Sequence, residues 1–169
     1  MTTQAREPLA PADVLGGHTL PHSRESEMAL LGAMIFDNDV IGDVVEILNS
    51  PEMFAFPAHR VVFEAILRLH LDRKPIDLVV LRDDLNTNHR LEAVGGADYL
   101  MALVEGVPNA ANAPAYARTV HDKFVLRNII DTCQKIVHTA TQVTEDVDEV
   151  RDQAEKALFQ ALAKGEKAS

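Results

Sequence analysis

Apolar residues recur at three- and four-residue spacing along most of the chain, which is the signature of helices with one buried face. Ser23 suits a helix N-cap, and Glu25 and Glu27 supply the negative charge that a first turn favours. With Leu30, Leu31, Met34 and Ile35 behind them, the spacing predicts a helix over 24–36. Asp37-Asn38-Asp39 stops it and caps a second, amphipathic helix carrying Val40, Ile41, Val44, Val45 and Leu48, closed by Asn49-Ser50-Pro51. Pro57 fits the first turn of a third, strongly apolar helix with Val61, Val62, Phe63, Ile66, Leu67 and Leu69. Asp72-Arg73-Lys74-Pro75 breaks it, and Asp77 caps a fourth helix bearing Leu78, Val80, Leu81 and Leu85. Gly95-Gly96 reads as a turn that needs positive φ, before a short fifth helix with Tyr99, Leu100, Leu103 and Val104.

After a linker containing Pro108 the pattern changes. Asn112 as a cap and Pro114 in a first turn open a stretch that runs to about Val143 without glycine or further proline, some ~45 Å of helix. Thr144-Glu145-Asp146 interrupts it, and Asp146 with Glu149 resembles a capping box for a last helix reaching about Lys164. The reading is an all-α fold in which a compact five-helix globule is followed by a long αα-hairpin. Its divisions are a disordered leader over 1–20, the globule over 21–107, a linker over 108–112, the hairpin over 113–164 and a tail over 165–169. Alternation of the kind a half-buried strand needs never persists, so no strand is expected.

The first hairpin helix is apolar over well more than half its circumference. Val125, Ile129, Cys133 and Ile136 form one stripe, Tyr116, Val120 and Phe124 a second, and Leu126, Ile130 and Val137 a third. The second helix offers only a narrow seam, Val147, Val150, Ala154, Ala157 and Ala161. One slender partner helix covers one stripe, so the surplus meets either the globule or another chain. Self-association is the reading preferred, through Val125, Ile129, Cys133, Ile136, Val147, Val150, Ala154 and Ala157; packing within one monomer is the alternative. Tyr99 and Tyr116 are expected at the globule–hairpin junction, with a partner contact as the other possibility.

Composition narrows what such a helical protein does. Hydrophobic residues make up 47% of the 169, enough for a core without disulfide or metal. The single cysteine, Cys133, excludes an internal disulfide and suits a reducing, cytoplasmic setting. Sixteen Lys and Arg against 26 Asp and Glu leave a net charge of −10, which disfavours direct nucleic-acid binding because phosphate contacts need a basic face. No apolar run approaches the length of a membrane span, and the polar start of the chain lacks a signal-peptide core.

Catalytic motifs are missing. No glycine precedes a lysine within a phosphate-binding loop, and G-x-G-x-x-G, G-x-S-x-G and H-E-x-x-H are absent. His121-Asp122 resembles the doublet of HD-type metal phosphohydrolases, which needs further ligands; His59, His89 and His138 are the candidates on paper. The competing reading is a solvated helix face with Lys123 and Arg127 nearby. No E-x-x-H pair supports a helical di-metal site.

Several phrases, taken in order, carry a resemblance. They are Pro21-His22-Ser23-Arg24-Glu25-Ser26-Glu27 leading to Leu31-Gly32, then Phe56-Pro57-Ala58-His59-Arg60 with Phe63-Glu64-Ala65-Ile66, then Lys74-Pro75-Ile76-Asp77-Leu78. Gly95-Gly96-Ala97-Asp98-Tyr99-Leu100 and Val107-Pro108-Asn109-Ala110-Ala111-Asn112, leading to Tyr116-Ala117 and Leu126-Arg127, complete the set. From Pro21 to about Ala161 the chain resembles the N-terminal collar domain of bacterial DnaB-type replicative DNA helicases. It departs at Met28, where the family often has glutamine, and at Met53, where an acidic residue often stands. The resemblance implies a non-catalytic oligomerisation and partner-docking domain, with hairpins pairing into a trimer-of-dimers collar that docks the C-terminal domain of primase. It also implies that ATP, magnesium and helicase activity belong to a RecA-like motor not contained in this chain, and that this domain holds no cofactor. A helicase-binding domain of a primase, whose fold is related, and the HD-type phosphohydrolase remain the alternatives.

Overall fold

The computed structural model describes residues 13–14, 18–142 and 146–164. Among these lie seven α-helices: α1 (Arg24–Phe36), α2 (Ile41–Ile47), α3 (Pro57–Leu71), α4 (Leu78–Thr87), α5 (Gly96–Glu105), α6 (Ala113–Thr141) and α7 (Val147–Ala163). Short 3-10 turns at Asn38–Val40, Pro51–Met53, Glu92–Val94 and Ala110–Asn112 join several of them.

The helix boundaries follow local chemistry. Ser23 Oγ accepts from the Ser26 amide at 3.3 Å, and Asp77 Oδ1 from the Val80 amide at 2.8 Å, each satisfying a donor at a helix start. Pro57 occupies the first turn of α3. α3 and α4 both end in residues with positive φ, Arg73 at 54° and His89 at 55°. Behind them the Lys74 amide donates to Leu69 O and the Arg90 amide to Leu85 O, the long hydrogen bond of a Schellman ending. Gly95 and Gly96, with φ of 99° and 78°, make the expected turn into α5.

Two expected caps differ. Asn112 makes no side-chain cap; Asn109 does so one turn earlier, accepting from the Ala111 amide. Asp146 accepts from the Asp148 amide, while Glu149 Oε1 accepts from Gln153 Nε2, so the reciprocal box does not form.

α1 lies at the centre. Leu30, Leu31, Ala33 and Met34 are fully buried, and the helix packs on α3, α5 and α6. Gly32 brings it against α5: a β-carbon there would run into the Leu103 carbonyl oxygen and Val107 Cγ2. Asn38 ties the end of α1 to the loop before α4, its Nδ2 donating to Met34 O and Ile76 O and its Oδ1 accepting from the Ile76 amide. Asn38→Ala leaves those groups unmatched and is expected to cost about 2 kcal/mol, measured as a lower midpoint in urea unfolding.

The division expected at residues 108–112 is not where the globule ends. Ala113, Ala117, Val120 and His121 are buried, and Tyr116 and Phe124 pack against the core, so the first half of α6 completes the globule on α1 and α2. α6 then continues unbroken into the hairpin. A helix that serves two surroundings without a glycine or proline between them shows no boundary in its sequence.

A two-residue antiparallel pairing, β1 (Asp13–Val14) with β2 (His18–Thr19), was not expected. A ladder of two residues per strand is too short to leave an alternating pattern. The rest of the expected leader, 1–12 and 15–17, lies outside the described residues, as do 143–145 of the hairpin turn and the tail at 165–169.

Candidate interaction surface

Two polar arrangements hold the globule and the foot of the hairpin. In the first, Glu27 on α1 is 1% exposed and acts as a cap in trans for α3, whose own N-cap residue, Phe56, offers no side-chain acceptor. Glu27 Oε1 accepts from the Ala55 amide at 2.6 Å, and Oε2 lies 2.6 Å from His59 Nδ1. His59 Nε2 is in turn 2.7 Å from the Tyr99 hydroxyl on α5. One buried carboxylate thus links α1, α3 and α5, satisfying groups that are costly to bury alone. Glu27 reads in the sequence as an ordinary first-turn charge, and nothing local marks its partners, which lie 28 to 32 residues away. Tyr99, a candidate partner contact, is 3% exposed and committed to this network, so it is withdrawn from any contact surface. Tyr116 is half-buried against the core.

The second arrangement centres on Arg127. Its Nη1 donates to Pro21 O and its Nη2 to Met53 O, both at 2.8 Å, and its guanidinium lies 6.0 Å from the Phe124 ring centroid. Burial lowers its pKa from the ordinary value; the Glu27 carboxylate opposes that shift and Arg60 adds to it. Arg127 was expected on a solvated face beside His121-Asp122. Instead His121 is 8% exposed against the globule, while the Asp122 side chain is 70% exposed, so the doublet does not converge. Among the described residues no group of three or more His, Cys, Asp or Glu is placed to hold a metal ion.

Beyond Arg127, α7 runs beside α6. Ile136 and Thr139 line one groove with Val150, Ala154 and Ala157, and Asn128 and Thr132 meet Ala157, Gln160 and Ala161, so the helices are antiparallel. The residues expected to self-associate therefore divide. Ile136, Val150, Ala154 and Ala157 form the seam within the monomer, and Val125 and Ile129 flank it half-buried. Cys133 and Val147 are exposed, Val147 at 76%.

The open apolar surface lies beside that seam. At 3.6 residues per turn, the exposed Leu126, Cys133 and Val137 lie roughly 100–180° around α6 from the core-facing Val120 and Phe124, with Ile130 half-buried between. On α7, Leu158, Phe159 and Leu162 are exposed away from the Val150/Ala154/Ala157 seam. Leu126, Val137, Phe159 and Leu162 are 45%, 57%, 74% and 56% exposed. The sequence shows the first set as a stripe. The second set is less visible in the sequence, where the small-residue seam of α7 is the more regular pattern.

Residues 19–122, more than half of the chain, match the family described as DnaB-like helicase N terminal domain. The chain belongs to this family. It is 37% identical over 140 residues to the replicative DNA helicase DnaB of Geobacillus stearothermophilus, covering 83% of this chain and 31% of that one. With the Mycobacterium leprae helicase it shares 36% over 145 residues, 85% of this chain and 24% of the relative. The chain thus spans about a third or less of the length of these relatives.

The crystal structure of the N-terminal domain of DnaB from Mycobacterium tuberculosis superposes with a TM-score of 0.78 at 36% identity, over 83% of this chain and 98% of that one. A DnaB-like replicative helicase, solved in a study of its interactions with primase, shares the fold at 20% identity and a TM-score of 0.67, over 82% of this chain and 31% of that one. The DnaB N-terminal fold therefore includes both globule and hairpin here. Among the described residues no helix is long and apolar enough to cross a membrane.

Proposed function

We propose that this chain is a non-catalytic oligomerisation and partner-docking domain of a replicative DNA helicase. The observation that carries the reading is the apolar surface of the hairpin, where Leu126, Val137, Phe159 and Leu162 are exposed among the described residues. Covering a largely exposed Leu or Phe contributes about 1–2 kcal/mol. A two-fold contact covers each such side chain twice, so using most of the face outweighs the cost of association. In the full helicase the pairs would build a trimer-of-dimers collar. Docking of the C-terminal domain of primase is proposed by analogy with the helicase studied with that partner. ATP, magnesium and strand separation are assigned to a separate motor domain, and this domain's net charge of −10 gives it no direct role in holding DNA. That the relatives are themselves named replicative helicases favours this reading over a primase domain of related fold.

Light scattering across concentration tests it. Wild type is expected to self-associate, and Val137→Asp with Phe159→Asp to be monomeric with an unchanged circular dichroism spectrum, because both side chains are already exposed in the monomer. A wild type that remains monomeric at high concentration overturns the reading.

A further inference from the structure

The structure points to Arg127 as the residue that sets the direction in which the hairpin leaves the globule. This inference deepens the proposed function, since it concerns how the self-associating face is presented, and rests on it for its consequence but not for its test.

α6 changes surroundings within two turns. His121 is its last buried residue and Phe124 its last side chain packed on the core, whereas Asn128 and Thr132 already face α7. Arg127 stands at that change. Its forked guanidinium reaches two separate backbone segments, Pro21 ahead of α1 and Met53 in the turn between α2 and α3, with one nitrogen to each carbonyl. These segments are themselves held: the His22 ring meets Phe56 edge-on at 5.4 Å, and Arg60 Nε donates to Phe54 O at 2.7 Å. Two divergent hydrogen bonds from one planar group resist both bending of α6 away from the globule and sliding along it.

The geometry gives the clamp leverage. From Arg127 to the end of α6 the helix extends about 20 Å, so a tilt of roughly 10° moves the hairpin tip by some ~4 Å. In a ring whose subunits meet through their hairpins, that displacement is repeated in every copy. Arg127 is thus a positioning residue for assembly geometry, acting through the hairpin without touching the partner.

The test is a distance measurement within one chain. Spin labels on Asp83→Cys in α4 and Ala140→Cys near the hairpin tip, in a Cys133→Ser background, are read by pulsed electron resonance. Excess unlabelled protein suppresses distances between copies, so the result holds whether or not the chain self-associates. The clamped protein is expected to give one narrow distribution. Arg127→Met is expected to broaden it at least two-fold, and Arg127→Lys, which reaches one carbonyl but not both, to give an intermediate width, with helical content unchanged in each. An unaltered distribution in Arg127→Met overturns the proposal, as does a broad one when Arg127 is present. Loss of the fold in both variants would also overturn it, making Arg127 a core brace and not a positioning residue. Failure of self-association with the widths as expected would sink the proposed function and leave the clamp standing.

Discussion

Glu27→Ala is expected to destabilise the domain by about 3–5 kcal/mol, the cost of removing one partner from a buried ionisable pair. The side chain is almost fully buried, and its removal strands the Ala55 amide and His59 Nδ1 together. Ala55 lies just ahead of α3 and His59 in its first turn, so the start of that helix loses a brace that its own N-cap residue, Phe56, does not provide. Glu27→Gln keeps an acceptor for Ala55 but turns the wrong group or no charge toward His59, and is expected to lose about 1.5–3 kcal/mol. Urea unfolding followed by circular dichroism reads these as falls in midpoint at constant slope. His59→Ala completes a double-mutant cycle, with a coupling of about 1–3 kcal/mol expected for groups in one network. A Glu27→Ala midpoint equal to that of wild type would falsify this account of the network.

Two glycines, each inside a helix, should respond oppositely to the same substitution. At Gly32 a new β-carbon lies 2.9 Å from the Leu103 carbonyl carbon and closer still to its oxygen and to Val107 Cγ2. The obstacle is mainly backbone, which cannot turn aside as a flexible side chain can, so α1 and α5 must separate. Gly32→Ala is therefore expected to cost about 3 kcal/mol, at the upper end for overpacking, despite alanine's better helix propensity. At Gly42, in α2, a β-carbon meets nothing within 4 Å. There Gly42→Ala should stabilise by about 0.5–1 kcal/mol, the propensity gain alone. Thermal unfolding of the two variants decides the matter. Equal shifts of the same sign would mean that close approach of α1 to α5 does not govern the Gly32 position.

The interaction surface was only partly legible. The excess of apolar residues on α6 is visible in the sequence, and the inference that one partner helix cannot cover it leads to the hairpin. Ile136, Val150, Ala154 and Ala157, read in the sequence as self-association residues, line the groove between α6 and α7 of one chain and are half-buried there. A stripe shows that a helix has an apolar side, but not which of two neighbouring stripes its own hairpin partner takes. That is settled by crossing geometry, and the alanines of α7 draw it onto the Ile136 side, leaving Leu126, Val137, Phe159 and Leu162 open.

What the sequence by itself determined is the local grammar: Ser23 and Asp77 as caps, Pro57 in a first turn, Gly95-Gly96 at positive φ and helices broken between them. These depend on residues within a few positions of one another, where covalent connection already supplies proximity. The missing phosphate-binding loop is likewise a local fact. Only the tertiary structure decided that Glu27 caps a helix 28 residues ahead, that Arg127 clamps Pro21 and Met53, and that α6 belongs half to the globule and half to the hairpin. Each of those depends on which helices meet and at what angle. A side chain's hydrogen-bonding capacity is written in its chemistry, but its partner across 28 to 106 residues is chosen by the packing of the core between them.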